Sequence, residues 1–111
     1  MAKIILTQLT CFQTEDNSGL DEANLRIWAD SNHYSLSRSM DNGKSWDLNL
    51  VLNFQNRIKI QLYDLDNPGF PLYDNHDHIG TVIINPSQAV APGNATFNQD
   101  GAEYEIEWIT G

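Results

Sequence analysis

The sequence predicts an all-β fold, an antiparallel two-sheet β-sandwich of seven or eight strands or a small barrel. Most apolar segments alternate apolar and polar residues with a period of two, turn-forming clusters of Gly, Pro, Asn and Asp separate them, and almost nothing reads as helix. With 111 residues the chain can bury one modest core and no second one, so residues 1–111 read as a single domain.

Ile4 to Phe12 reads as the first strand, apolar at Ile4, Leu6, Leu9 and Cys11, and the break of period between Leu6 and Leu9 suggests a bulge. Ala23, Leu25, Ile27 and Ala29 alternate with Asn24, Arg26 and Trp28 as the second strand, which ends at Asp30-Ser31-Asn32. Tyr34 to Arg38 is a weaker third strand, and Asp41-Asn42-Gly43-Lys44 carries the Asn-Gly signal of a tight hairpin turn. From Trp46 to Phe54 the even positions are apolar, broken only by Val51. Ile58, Ile60 and Leu62 then alternate with Lys59, Gln61 and Tyr63. Thr81 to Ile84 is nearly all apolar, as for a strand covered on both faces or a short buried one. Pro86 to Asn94 reads as a connection holding at most a helical turn at Pro86–Val90. Tyr104, Ile106 and Trp108 close the fold, with Glu103, Glu105 and Glu107 outward.

The formal charge of −9 and only six basic residues argue against nucleic acid as a partner, because phosphate neutralisation needs clustered Lys and Arg. Cys11 is alone, which excludes an internal disulfide; its apolar setting makes it a small buried hydrophobe. No stretch is long and apolar enough to span a bilayer, and Met1 to Leu6 lacks a secretory apolar run, so the expected location is the cytoplasm.

Eight of the fifteen acids fall in two short segments: Glu15, Asp16, Asp21 and Glu22 after the first strand, and Asp64, Asp66, Asp74 and Asp77 after the Ile58 strand. At ~4 Å and an effective dielectric of ~20, each pair of carboxylates repels by about 4 kcal/mol, a large part of a small domain's net stability. A hard divalent cation removes that repulsion, and calcium accepts six to eight oxygens in a flexible geometry. An EF-hand does not fit, because counting from Asp64 places Pro68 at the fifth position and Asn75 where the bidentate Glu belongs. Zinc would want His and Cys together; His76 and His78 stand without a cysteine, since Cys11 is needed in the core. Paired carboxylates could serve glycoside hydrolysis, yet no cleft or nucleophile motif is legible, and the chain reads as non-enzymatic. The segment from Pro68 to Tyr73 places Phe70, Leu72 and Tyr73 on a loop, either as an exposed contact surface or folded back over the sandwich end.

Leu62-Tyr63-Asp64-Leu65-Asp66 followed by Asp77-His78-Ile79-Gly80 resembles the C2 domain, a calcium-dependent membrane-binding β-sandwich, whose pattern is a strand ending in Asp-x-Asp, a loop, and an Asp before an Ile-Gly strand start. Glu15 to Glu22 is similar to the first C2 calcium loop, and Trp46-Asp47-Leu48 to the Trp-Asn-Glu that opens a middle strand. The resemblance implies Asp64, Asp66 and Asp77 as calcium ligands from the third loop and Asp16 and Asp21 from the first. The long spacing from Asp66 lets Asp74 compete with Asp77, and Glu15 could replace Asp16. Asp21-Glu22 stands where the family often has Asp-Pro-Tyr, and the family's basic strand is reduced to Lys59. The implied partners are calcium and an anionic phospholipid surface, peripheral to the membrane, with Phe70, Leu72 and Tyr73 entering lipid, or else a protein. The alternative is a calcium-dependent, lectin-like module in which Trp28, Tyr73 or His76 contacts a glycan.

Overall fold

The computed structural model describes residues 1–14, 21–65 and 77–111. The described residues form eight strands: β1 (Ala2–Gln13), β2 (Asp21–Ala29), β3 (Asn32–Met40), β4 (Ser45–Phe54), β5 (Ile58–Asp64), β6 (Asp77–Ile84), β7 (Gly93–Phe97) and β8 (Glu103–Thr110). They make two four-stranded antiparallel sheets, ordered β4-β1-β8-β7 and β3-β2-β5-β6. The expected β-sandwich is therefore the one observed, and the barrel is not.

The alternation that predicts the strands is also what packs them. Ile4, Leu6, Leu9 and Cys11 of β1 and Tyr104, Ile106 and Trp108 of β8 face inward against Leu25 and Ile27 of β2 and Ile58, Ile60 and Leu62 of β5, all buried. The bulge expected between Leu6 and Leu9 is present. Leu6 pairs with Trp108 but Gln8 with Glu107, so β1 carries one extra residue against β8 and both apolar faces stay inward. Against β4 the irregularity reverses: Leu6 faces Leu50 and Gln8 faces Asp47, and the extra residue lies in β4, where Asn49 adopts φ 48°. Asn is among the few residues that accept this left-handed conformation.

Four sequence expectations change. The Asn-Gly turn does not close a hairpin, since β3 and β4 belong to different sheets. Instead the Asp41–Lys44 turn crosses between sheets and pairs with the end of β1: the Cys11 amide donates to the Lys44 carbonyl at 2.9 Å and the Gly43 amide to the Cys11 carbonyl at 2.7 Å. Gly43, at φ 80°, supplies the backbone freedom. The Thr81–Ile84 run is covered on one face only, with Val82 and Ile84 inward and Ile83 39% exposed, and β6 starts earlier, at Asp77. β3 extends beyond Tyr34–Arg38 because it pairs along the whole of β2. Finally, Gly93–Phe97 is a strand rather than a connection, paired with β8 at the sheet edge; the 3-10 turn before it, Pro86–Gln88, agrees with the sequence.

At one end of the sandwich Asp30, at φ 56°, fastens the β2–β3 turn to the β4–β5 turn. Its carboxylate accepts the amides of Gln55 (2.7 Å), Asn56 (2.9 Å) and Arg57 (3.2 Å), while its own amide donates to the Arg57 carbonyl at 3.0 Å. These donors, the Gln55 amide foremost and Asn56 next, hold the Asp30 carboxyl below the usual carboxylate range.

Two outcomes follow from these contacts. Gly93→Ala would place a Cβ 2.5 Å from Cζ2 of the buried Trp108 ring. Overpacking of this kind costs about 1–3 kcal/mol, lowering the melting temperature by about 4–8 °C per kcal/mol in thermal denaturation. The stabilisation from ionised Asp30, whose folded pKa is depressed, is fully present above the unfolded value near pH ~3.9 and disappears as pH falls through the lower folded value. The melting-temperature gap between wild type and Asp30→Asn is thus widest near neutrality and narrows in acid.

Candidate functional site

The described residues that flank the two acid-rich segments lie at the same end of the sandwich. β1 ends at Gln13 and β2 begins at Asp21; β5 ends at Asp64 and β6 begins at Asp77. Because β5 lies between β2 and β6, the register pairs Asp64 with Ala23 on one side and with Asp77 on the other. Asp21 sits two residues before Ala23 on the same face of β2. Three carboxylates therefore reach this end from three adjacent strands. Asp64 continues the inward Leu62 face and is only 7% exposed, Asp21 is fully buried, and Asp77 is half-buried.

Hydrogen bonds hold these groups. The Glu22 amide donates to Oδ1 of Asp64 at 2.9 Å, and the Leu65 amide donates to the Glu22 carbonyl at 3.0 Å, so β2 and β5 are fastened where the acids begin. The Tyr104 hydroxyl donates to Oδ2 of Asp21 at 2.5 Å, joining β8 of one sheet to β2 of the other. Burial first, and then the bond to Asp21, push the Tyr104 phenol far above its ordinary range. Cys11 lies opposite Tyr104 on β1 and is fully buried, and that burial raises its thiol as well, so it is the inert core residue expected. Beside it the Thr14 amide donates to Oδ1 of Asn42 at 2.8 Å, which fastens the start of the first acidic segment to the crossover turn.

Of the residues the sequence singles out, the structure brings Asp21, Asp64 and Asp77 to one end. Glu15, Asp16, Asp66, Asp74, Phe70, Leu72, Tyr73 and His76 lie outside the described residues. Among the described residues no group of three or more His, Cys, Asp or Glu is by itself arranged to hold a metal, so a complete shell would need donors beyond Asp21, Asp64 and Asp77. The donors that Asp21, Asp64 and Asp77 offer are carboxylate oxygens, which fit a hard cation such as calcium. Like charges directly opposite in a ladder are destabilising, and the Asp64–Asp77 pair is such a case.

The other named side chains are engaged. His78 shares a hydrogen bond with the Thr81 hydroxyl at 2.8 Å and its ring lies 5.2 Å from that of Tyr63. Trp28 stacks on His33 at 4.7 Å and carries the Lys59 ammonium 5.3 Å from its ring centre. Arg26 lies 4.3 Å over the Tyr63 ring. Sequence reasoning missed Tyr104, whose signal was available: a tyrosine on the core face of a strand needs a partner for its hydroxyl.

No protein-family model matches the sequence, and no curated protein sequence matches it either. Solved structures do match. The C2A domain of a plant extended synaptotagmin 1 superposes with a TM-score of 0.65 at 9% identity, over 96% of this chain and 90% of that one. A structure described as a C2 domain gives 0.64 at 12% identity, over 99% and 97%. A human GIVD cytosolic phospholipase A2, in complex with methyl gamma-linolenyl fluorophosphonate inhibitor and terbium chloride, gives 0.55 at 13% identity; 96% of this chain matches 16% of that enzyme. The fold is that of a C2 domain.

The opposed carboxylates predict a charge effect. Asp64→Asn keeps the oxygen that accepts the Glu22 amide but removes one of the two facing charges. In chelator at low ionic strength the variant should be more stable than wild type by about 0.2–1 kcal/mol, read as a raised melting temperature.

Proposed function

We propose that this C2-type sandwich is a calcium-binding module that acts without catalysis, docking on an anionic phospholipid surface when the ion is bound. The observation that carries the reading is the convergence of Asp21, Asp64 and Asp77 at the one end from which both acid-rich segments depart. Calcium is held by Asp64, Asp66 and Asp77, with Asp74 as the competing donor, and by Asp21 with Asp16 or Glu15. The cation offsets the mutual repulsion of these groups, and its open coordination positions bridge to lipid phosphate or carboxylate oxygens. Phe70, Leu72 and Tyr73 enter the interface beside it, each contributing about 1.5–3 kcal/mol if fully buried.

The C2 fold supports this reading over a glycan-binding one, as does the state of Trp28, whose ring is already engaged by His33 and Lys59. Among the described residues no helix is long and apolar enough to cross a membrane.

A ligand that binds the folded state alone stabilises it by mass action, about 2.7 kcal/mol at a hundred times Kd. Saturating calcium is therefore expected to raise the melting temperature by roughly 10 °C or more relative to chelator, and Asp64→Ala to abolish most of the rise. Calorimetry with equal wild-type curves in calcium and chelator removes the metal. Co-sedimentation with phosphatidylserine vesicles, reversed by chelator, supports the lipid surface; chelator-sensitive retention on a glycan array without vesicle binding replaces it with a saccharide.

A further inference from the structure

Tyr104 and Asp21 are both fully buried, 83 residues apart in the chain and on different sheets, and their side chains meet at 2.5 Å. A phenol donating to a carboxylate is a charge-assisted bond, short and directional. The donor itself has little freedom. The Tyr104 ring is packed in the common core, directly opposite Cys11 on β1. An aspartate's terminal torsion is otherwise soft, with a broad range of carboxylate rotations. A fixed hydroxyl on Oδ2 selects one of these and directs the carboxylate from the core side.

The chemistry of the donor matters as much as its position. A Lys or Arg at residue 104 would orient Asp21 but neutralise it and repel a cation. A hydroxyl orients it and leaves the negative charge in place. Groups that hydrogen-bond a ligating carboxylate from behind typically contribute 10–100-fold to metal affinity.

We propose that Tyr104 is a positioning residue for calcium, its hydroxyl holding Asp21 in the rotation that ligates the ion and thereby joining the metal site to the packing of the two sheets. The inference rests on the calcium reading and adds to it a residue that touches no metal. A purely structural role would instead have the hydroxyl only satisfy a buried carboxylate.

The test is isothermal titration of metal-stripped wild type and Tyr104→Phe with calcium chloride, together with their melting temperatures in chelator. Calcium Kd should weaken about tenfold or more in the variant. A Kd within about twofold of wild type, with only the chelator melting temperature lowered, or a tighter Kd, overturns the proposal. A second readout needs no variant: the ¹³Cζ resonance of Tyr104 in wild type should move during the calcium titration and saturate with the calorimetric Kd. A stationary resonance in a protein that binds calcium overturns the proposal even if Tyr104→Phe fails to fold. Wild type that takes up no calcium removes the calcium reading itself, an outcome distinct from binding that ignores Tyr104.

Discussion

The register of β5 between β2 and β6 decides both how this sheet packs and where its acidic side chains meet. Leu62, Ile60 and Ile58 face Leu25, Ile27 and Ala29 on one side and Gly80, Val82 and Ile84 on the other. A slip of one residue would turn Ile58, Ile60 and Leu62 to solvent and Lys59, Gln61 and Tyr63 into the core, so burial specifies the pairing strongly. The same register, carried to the end of the strand, sets Asp64 opposite Asp77. The apolar core thus dictates where the charges meet, and hydrophobic burial holds together carboxylates that would separate in an unconstrained chain.

The two ends of the sandwich show aspartate solving different problems. Asp30 receives three backbone amides and is complete as it stands, a turn-fastening residue that asks for no further partner. At the other end, Asp21, Asp64 and Asp77 converge from three adjacent strands, two of them buried, with the Glu22 amide donating to Asp64 and the Tyr104 hydroxyl to Asp21. The residue type is shared; what differs is the proximity of like charge, which Asp64 meets directly across the ladder in Asp77.

Much of the sandwich was legible because β1, β2, β4, β5 and β8 are half-buried strands, which write their two faces into the residue order. Even the β1 bulge was visible, as a three-residue step from Leu6 to Leu9. What escaped was tertiary. Gly93–Phe97 contains Gly, Asn and Ala, residues with little strand preference, and becomes a strand only because β8 offers it an edge. Asn42-Gly43 encodes the shape of a turn but not which strands flank it, so a crossover passed for a hairpin. The acidic end was visible as two clusters of carboxylates, whereas the burial of Asp64 and Asp21 follows from the facing sheet, which no local pattern records.

The left-handed kink at Asn49 has a consequence for how molecules of this protein meet one another. β4 is ten residues long and forms the rim of its sheet, with backbone amides and carbonyls available on one side. A straight rim of that length invites strand addition from a second chain and, by repetition, fibrillar aggregation. The extra residue at Asn49 breaks the regular spacing of those groups, and the outward Asp47, Asn49 and Asn53 resist an apolar stack. The backbone at Asn49 thereby makes this rim a poor template for a second chain.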